Sequence, residues 1–354
     1  MSRLWTIRET VLRFVRPTSP ATSLPVSVVP TEADRTIRAV TSPQTPVQQR
    51  TLDLLRRTGD PIEFDAEFVA ELRADLHAGL TELEDRLDPD DTLWVSKHHI
   101  DRVLTCEASW AAPDAFEWTS ANARGKIAHR AIQLSVHWPG DTDPMSLVTE
   151  AISRMESEER GLSDWLMGLG PADIADLRGR SVEHVTKFLE CFPHLEAAWI
   201  PVTESRMQYP REGRIVLSAR VDLTLGKTVG RESRKVIIDV KTGRIHSRHR
   251  EDLRFYALLE TLTRDVPPRL LVTYSLDSGS ADREETTTAL LRSTLRRTLD
   301  AIERMVEVRH EGREPKRVPT VACRWCTLRD TCDPGRSWLA GATPAIDDDA
   351  DGFV

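Results

Sequence analysis

No run of apolar residues in this chain approaches the roughly 18 that a membrane-spanning helix needs. The first residues mix Arg and Glu among their apolar positions and so lack the uninterrupted core of a secretory signal. Both absences make the cytoplasm the expected location. Internal repeats are missing too, which sets repeat architectures aside. Gly226-Lys227-Thr228 suggests a phosphate loop, but that loop needs a glycine five positions before its second glycine, and Val221 stands there. No ATP-driven motor is therefore expected. Nor is there an excess of positive charge. A net charge of -8 and an isoelectric point near 5.8 argue against nonspecific nucleic-acid binding. The charge is uneven, however: Arg231 to Lys235, Arg244 to Arg250 and Arg292 to Arg309 are Arg-rich, and the tail from Asp347 to Asp351 is acidic. That pattern is compatible with a local basic groove, although charge runs are most often solvated faces.

The 354 residues suffice for one large domain or two modest ones. After a short amphipathic segment at Leu4 to Val15, a Pro/Thr/Ser-rich strip from Pro17 to Pro46 reads as linker, so residues 1–50 are expected to be poorly ordered. Helical periodicity over 51–94 (Leu52, Leu54, Leu55, then Phe68, Val69, Leu72, Leu76, Leu80, Leu83) predicts two flanking helices. Ser96 is a plausible cap for a helix running to Trp110, and Asn122 to Leu134 and broken stretches of Ala151 to Leu189 also read as helical. Strands are predicted at Ala197 to Val202, Arg206 to Tyr209, a hairpin from Leu217 to Lys241, Arg269 to Leu276 and Glu284 to Thr288, before a long helix at Leu290 to Val308. This order predicts an α/β fold with a central mixed sheet flanked by helices. Residues 339–354 read as a disordered acidic tail.

The hairpin places charges where a buried strand should have none. Asp239 and Lys241, two apart on one strand, project to the same side, with Val240 facing the other way. If Asp222 on the partner strand faces that side, two carboxylates and an ammonium converge, and burying them is costly unless they pair or hold a metal. An isolated Asp-x-Lys is most often a salt bridge. The company of this one points elsewhere. Ala-Arg-Val-Asp222, then Asp239-Val-Lys241-Thr-Gly, then a helix carrying Asp252-Leu-Arg-Phe-Tyr256 resembles the RecB-type branch of the PD-(D/E)xK nucleases. The resemblance implies a restriction-endonuclease-like core over residues 95–338. It implies a metal site at Asp222, Asp239 and the Val240 carbonyl holding Mg2+ or Mn2+, with Lys241 as the catalytic lysine. Gly125-x-x-x-His129 resembles a further motif, which implies His129 as a metal ligand. Glu204, on the strand before Asp222, matches a supporting acid, and Tyr256 the tyrosine of a Gln-x-x-x-Tyr helix in which Asp252 replaces the Gln. His98, His99, His246 and His249 read as exposed polar residues.

Cys323, Cys326 and Cys332 form C-x2-C-x5-C, a loop able to wrap thiolates around one metal centre. Zinc and a cubane cluster both want a fourth ligand, and Cys106 and Cys191 are the candidates. Spacing alone leaves zinc and iron-sulfur open. The iron-sulfur subset of RecB-type nucleases, AddB-like and CRISPR-adaptation-nuclease-like proteins, is similar in having one Cys ahead of the nuclease motifs and C-x2-C-x5-C behind them. That resemblance implies a [4Fe-4S] cluster on Cys106, Cys323, Cys326 and Cys332, with Cys191 a buried apolar thiol. The expected activity is metal-dependent phosphodiester hydrolysis on nucleic acid, most simply DNA, in repair, recombination or defence, with a helicase or defence-system partner and no membrane. The alternatives are an inactive nucleic-acid-binding module of the same fold and a zinc-stapled scaffold.

Overall fold

The computed structural model describes residues 44–113 and 116–341. The segment at Leu4 to Val15, the strip up to Pro43 and the tail beyond Gly341 lie outside the described residues. The first helix, α1 (Pro46–Leu55), starts inside the strip read as linker, because Thr45 and Gln48 close a capping box and Pro46 at the first helical position gives up no needed N–H. A short β1 (Ile62–Glu63) precedes α2 (Ala66–Glu84), whose Phe68, Val69, Leu72, Leu76, Leu80 and Leu83 form one buried stripe. After β2 (Leu93–Val95), the helix expected from Ser96 to Trp110 is broken into α3 (Lys97–Thr105) and α4 (Glu107–Ala111), with extended backbone at Cys106 between them. Four helices follow: α5 (Ser120–Ser135), α6 (Pro144–Glu158), α7 (Arg160–Met167) and α8 (Pro171–Cys191).

The strand expected at Ala197 to Val202 is instead a 3-10 turn at Ala197–Trp199 leading into β3 (Val202–Tyr209). The central hairpin comprises β4 (Ile215–Leu225) and β6 (Val236–Lys241), with a two-residue β5 (Glu232–Ser233) between them pairing back to β1. Then come α9 (Arg248–Arg264), β7 (Leu270–Ser275) and β8 (Ser280–Glu285). The last of these lies ahead of the predicted Glu284 to Thr288, because Thr287 already caps α10 (Thr288–Arg309). A final α11 (Asp333–Gly341) follows the cysteine loop.

The six-stranded sheet is mixed. β2 runs parallel to β4, β6 parallel to β7, and the β3/β4, β4/β6 and β7/β8 pairs are antiparallel. One layer, formed by α2, α3, α9 and α10, shares a core with Ile215, Leu217, Val221, Ile237 and Leu271. The opposite layer sets α5, α8 and Leu55 of α1 against Leu223, Leu225, Ile238, Val240, Val272 and Tyr274. A third cluster joins α5 to α6, α7 and α8. Strict alternation would put Val221 on the face of Leu223, yet the two belong to opposite cores, so the side-chain alternation of β4 changes over at Asp222.

Candidate active site

The site lies at a fork in the sheet. β3 lines one edge of β4, from Val202 opposite Thr224 to Tyr209 opposite Leu217. On the other edge β2 pairs only with Ile215 to Leu217 and β6 only with Leu223 to Leu225. Between them, Ser218 to Asp222 have no ladder partner on that edge among the described residues. The last three residues of β6, Asp239, Val240 and Lys241, continue past this pairing with only β7 beside them. Lys97 stands two residues beyond the end of β2, at the first position of α3. Charged side chains enter the gap from both helical layers.

From the α5 side comes a group of ligand atoms. His129 Nδ1 lies 3.5 Å from Asp222 Oδ1, and His129, Glu204 and Asp222 each offer one atom within 4.8 Å of the others. Asp222 is held from behind: its Oδ2 accepts the Val240 N–H at 2.7 Å, a side-chain bond standing in for a missing ladder bond. Glu204 lies opposite Asp222 in the register, in the step between Thr203/Leu223 and Ser205/Val221, with φ of +53°. A left-handed glutamate inside a strand costs about 1–2 kcal/mol and marks a point where the fold enforces geometry. Burial and the neighbouring Asp222 raise the Glu204 carboxyl above its ordinary range. For His129, burial alone would favour the neutral ring, but Asp222 outweighs it and raises the imidazole. Among the described residues, the cation ion-paired with Glu204 is the exposed Arg220 at 3.5 Å.

From the α3/α9 side comes a balanced group. Asp239, 1 % exposed, has Lys241 Nζ at 3.0 Å from Oδ2 and Lys97 Nζ at 3.4 Å from Oδ1. Asp252 has Lys97 at 3.0 Å and Lys241 at 3.9 Å, which closes a ring of alternating charges. Although burial opposes it, the two ammoniums hold the Asp239 carboxyl well below the usual range. Lys97 is raised well above its ordinary value because Asp239, Tyr256 and Asp252 overcome the effect of burial. Lys97 also sits 5.1 Å from the Tyr256 ring centroid, while burial pushes the Tyr256 phenol far up, keeping it neutral. His249 accepts the His246 N–H at 3.2 Å, and burial together with Lys241 lowers its imidazole to about 3.

The donor set of the first group fits a hard divalent cation, because two carboxylates and an imidazole converge within 4.8 Å of one another. Away from these charges, Cys106, Cys323, Cys326 and Cys332 line one pocket with Val318, Pro319 and Leu328. A Cβ on Gly335 would stand 3.4 Å from the sulfurs of both Cys323 and Cys332, so that wall of the pocket carries no side chain. Cys191 lies elsewhere, against Gly279, and is half-buried rather than buried. Four thiols around one pocket fit a thiolate-held metal centre.

Residues 95–333 match the sequence profile of the PD-(D/E)XK nuclease superfamily, about two thirds of the chain. The chain belongs to this superfamily. Its mixed sheet between two helical layers is the restriction-endonuclease-like core of PD-(D/E)XK nucleases. A crystal structure of a candidate exonuclease from Eubacterium rectale is similar at 11% identity and a TM-score of 0.33, covering 65% of this chain and 97% of that one. No curated protein matches the sequence.

In this PD-(D/E)XK chain the structure brings His129, Glu204 and Asp222 together, and Asp239 with Lys241, but assigns them to two groups rather than one. The Val240 contact is its N–H on Asp222. Tyr256 is buried in the core shared with α2, α3 and α10, and its ring centroid lies 5.1 Å from the Lys97 ammonium. His249 is buried and His246 and His99 half-buried, against the exposed reading: His99 takes part in the Ser96 capping box and its Nδ1 meets the Trp94 carbonyl. Within the Arg-rich segments several cations are ion-paired among the described residues. Arg231 pairs with Asp65, Arg234 with Glu232, Lys235 with Glu260, Arg250 with Asp282 and Arg292 with Glu71. Sequence reasoning missed Lys97. The signal was present: a lysine in the first turn opposes the helix dipole, and such a conflict with local preference marks a residue held for another reason.

Proposed function

We propose that the chain is a metal-dependent nuclease that hydrolyses phosphodiester bonds of DNA, working in the cytoplasm in repair, recombination or defence, with a helicase or defence-system partner supplying substrate. The observation that carries the reading is the convergence of the ligand group and the Asp239–Lys241 pair on the unpaired stretch of β4. His129, Glu204 and Asp222, with Asp239 and the Val240 carbonyl, are the residues that would hold Mg2+ or Mn2+. When bound, such an ion polarises the phosphate and lowers the pKa of a water. The chain's own residues do the positioning. Val240 N–H fixes the Asp222 carboxylate, the strained Glu204 backbone fixes the opposite acid, and Lys241 orients the attacking water and offsets charge developing on the phosphate. Tyr256, neutral and buried, packs the ammonium of Lys97 against the acids.

The thiolate pocket supports a [4Fe-4S] centre on Cys106, Cys323, Cys326 and Cys332. Zinc bonds of about 2.3 Å set tetrahedral sulfurs about 3.8 Å apart. A cubane centre is larger and takes four thiolates, the number that line this pocket. All five cysteines are free of disulfides, in keeping with a reducing compartment.

The test is cleavage of labelled single- and double-stranded DNA with and without Mg2+. Wild-type chain should cut only with the ion, and Asp239→Asn and Lys241→Ala should each lower the rate about a hundredfold or more while circular dichroism stays unchanged. A folded wild-type chain that cuts neither substrate, or an Asp239→Asn variant that cuts normally, would overturn the reading.

A further inference from the structure

Two groups of charge meet at the fork and differ in one respect. Among the described residues, Glu204 and Asp222 have no lysine within ion-pair distance; Arg220, the ion partner of Glu204, is 56% exposed and solvent-screened. Asp239 and Asp252, by contrast, each have an ammonium at 3.0 Å, from Lys241 and Lys97 respectively. Four carboxylates against two lysines leave two negative charges for His129 and the exposed Arg220 to offset, and that imbalance lies on the α5 side of the gap. Without Lys97, Asp239 and Asp252 would share Lys241 alone, at 3.0 and 3.9 Å. Two buried carboxylates with one counterion draw a cation.

We propose that Lys97 is a positioning residue that fills, as a fixed ammonium, the place where a second divalent cation would otherwise bind between Asp239 and Asp252, so that the site takes up one exchangeable ion. This rests on the nuclease reading above and adds to it the number of ions and the residue that sets it. Delivery of Lys97 is a property of the fold: β2 stops pairing with β4 at Val95, Ser96 caps α3, and the next side chain enters the gap. Its seat is shaped on the far side by Tyr256, one helical turn beyond Asp252.

The experiment is calorimetric titration of the full chain with Mn2+ alone, without nucleic acid, for wild type, Lys97→Met, Lys97→Arg and Lys97→Met/Asp252→Asn, each checked for folding by circular dichroism. Wild type and Lys97→Arg should bind one ion, Lys97→Met two, and the double variant one again. Loss of the second ion on changing Asp252 is a readout that a merely structural role for Lys97 would not produce. Two ions in wild type would overturn the proposal, as would one in Lys97→Met. Those results leave the nuclease reading standing, whereas a folded wild-type chain that takes up no Mn2+ would remove the metal site and this inference together.

Discussion

Glu204 condenses the logic of the site into one residue. Its backbone is held in a left-handed conformation and its carboxyl is raised by burial and by Asp222, so without an ion it opposes folding. The sign follows from linkage. A carboxyl whose folded value lies above the ordinary Glu value of about 4.3 binds its proton more tightly in the native state, so the native state loses stability as pH rises through that range. Glu204→Gln should therefore raise the melting temperature by a few °C, on the order of 1 kcal/mol, in chelator at pH 7.5, and by less at pH 4. Added Mn2+ should cancel the advantage by stabilising only the wild type. Equal melting temperatures in chelator would contradict the uncompensated charge. Asp222, Asp239 and Lys241 were legible in the sequence because their motif is local, an acid on one strand and Asp-x-Lys on the next. Lys97 was not, because its partner Asp239 is 142 residues away and no local rule joins them.

Among elements, β4 and α9 show where periodicity succeeds and where it stops. Val221, Leu223 and Leu225 were enough to read a strand. The changeover of faces at Asp222 was invisible, because it depends on the left-handed residue opposite, on another strand. Likewise, α9 was readable as a helix, but the burial of His249 in its first turn follows from how that turn packs beside Lys241. With its folded value lowered to about 3, His249 stays neutral in the native state. Its contribution is complete above the ordinary histidine value of about 6.5 and declines as pH falls toward 3. Between pH 7 and pH 4 this amounts to on the order of 3 kcal/mol. Denaturant unfolding across that range should give a shallower loss for His249→Gln than for wild type, and parallel profiles would reject the assignment. The break between α3 and α4 had a different cause. Helical spacing predicted one element, whereas Cys106 sits in extended backbone beside the Lys316 carbonyl, drawn to the cysteine loop.

At the scale of the whole molecule, the cysteine pocket joins Cys106 to Cys323, 217 residues further along the chain. A metal centre there would close a loop of that length, and ligand binding is then folding free energy. Chain purified without oxygen should be brown. Cys106→Ser should lose colour and melting temperature together, while Cys191→Ser, whose thiol lies against Gly279, should lose neither. Colourless, zinc-loaded wild type would reject the iron-sulfur centre. The fork has a further consequence, for synthesis on the ribosome. One prong, β2 with Lys97, leaves the ribosome long before the other, β6 with Asp239 and α9 with Asp252, and β4 must accept both along a single edge. No nascent fragment ending before α9 holds all the charges of the site. A chain released before α9 therefore lacks Asp252, and with it one of the two carboxylates that hold Lys97, however much of the sheet has already formed.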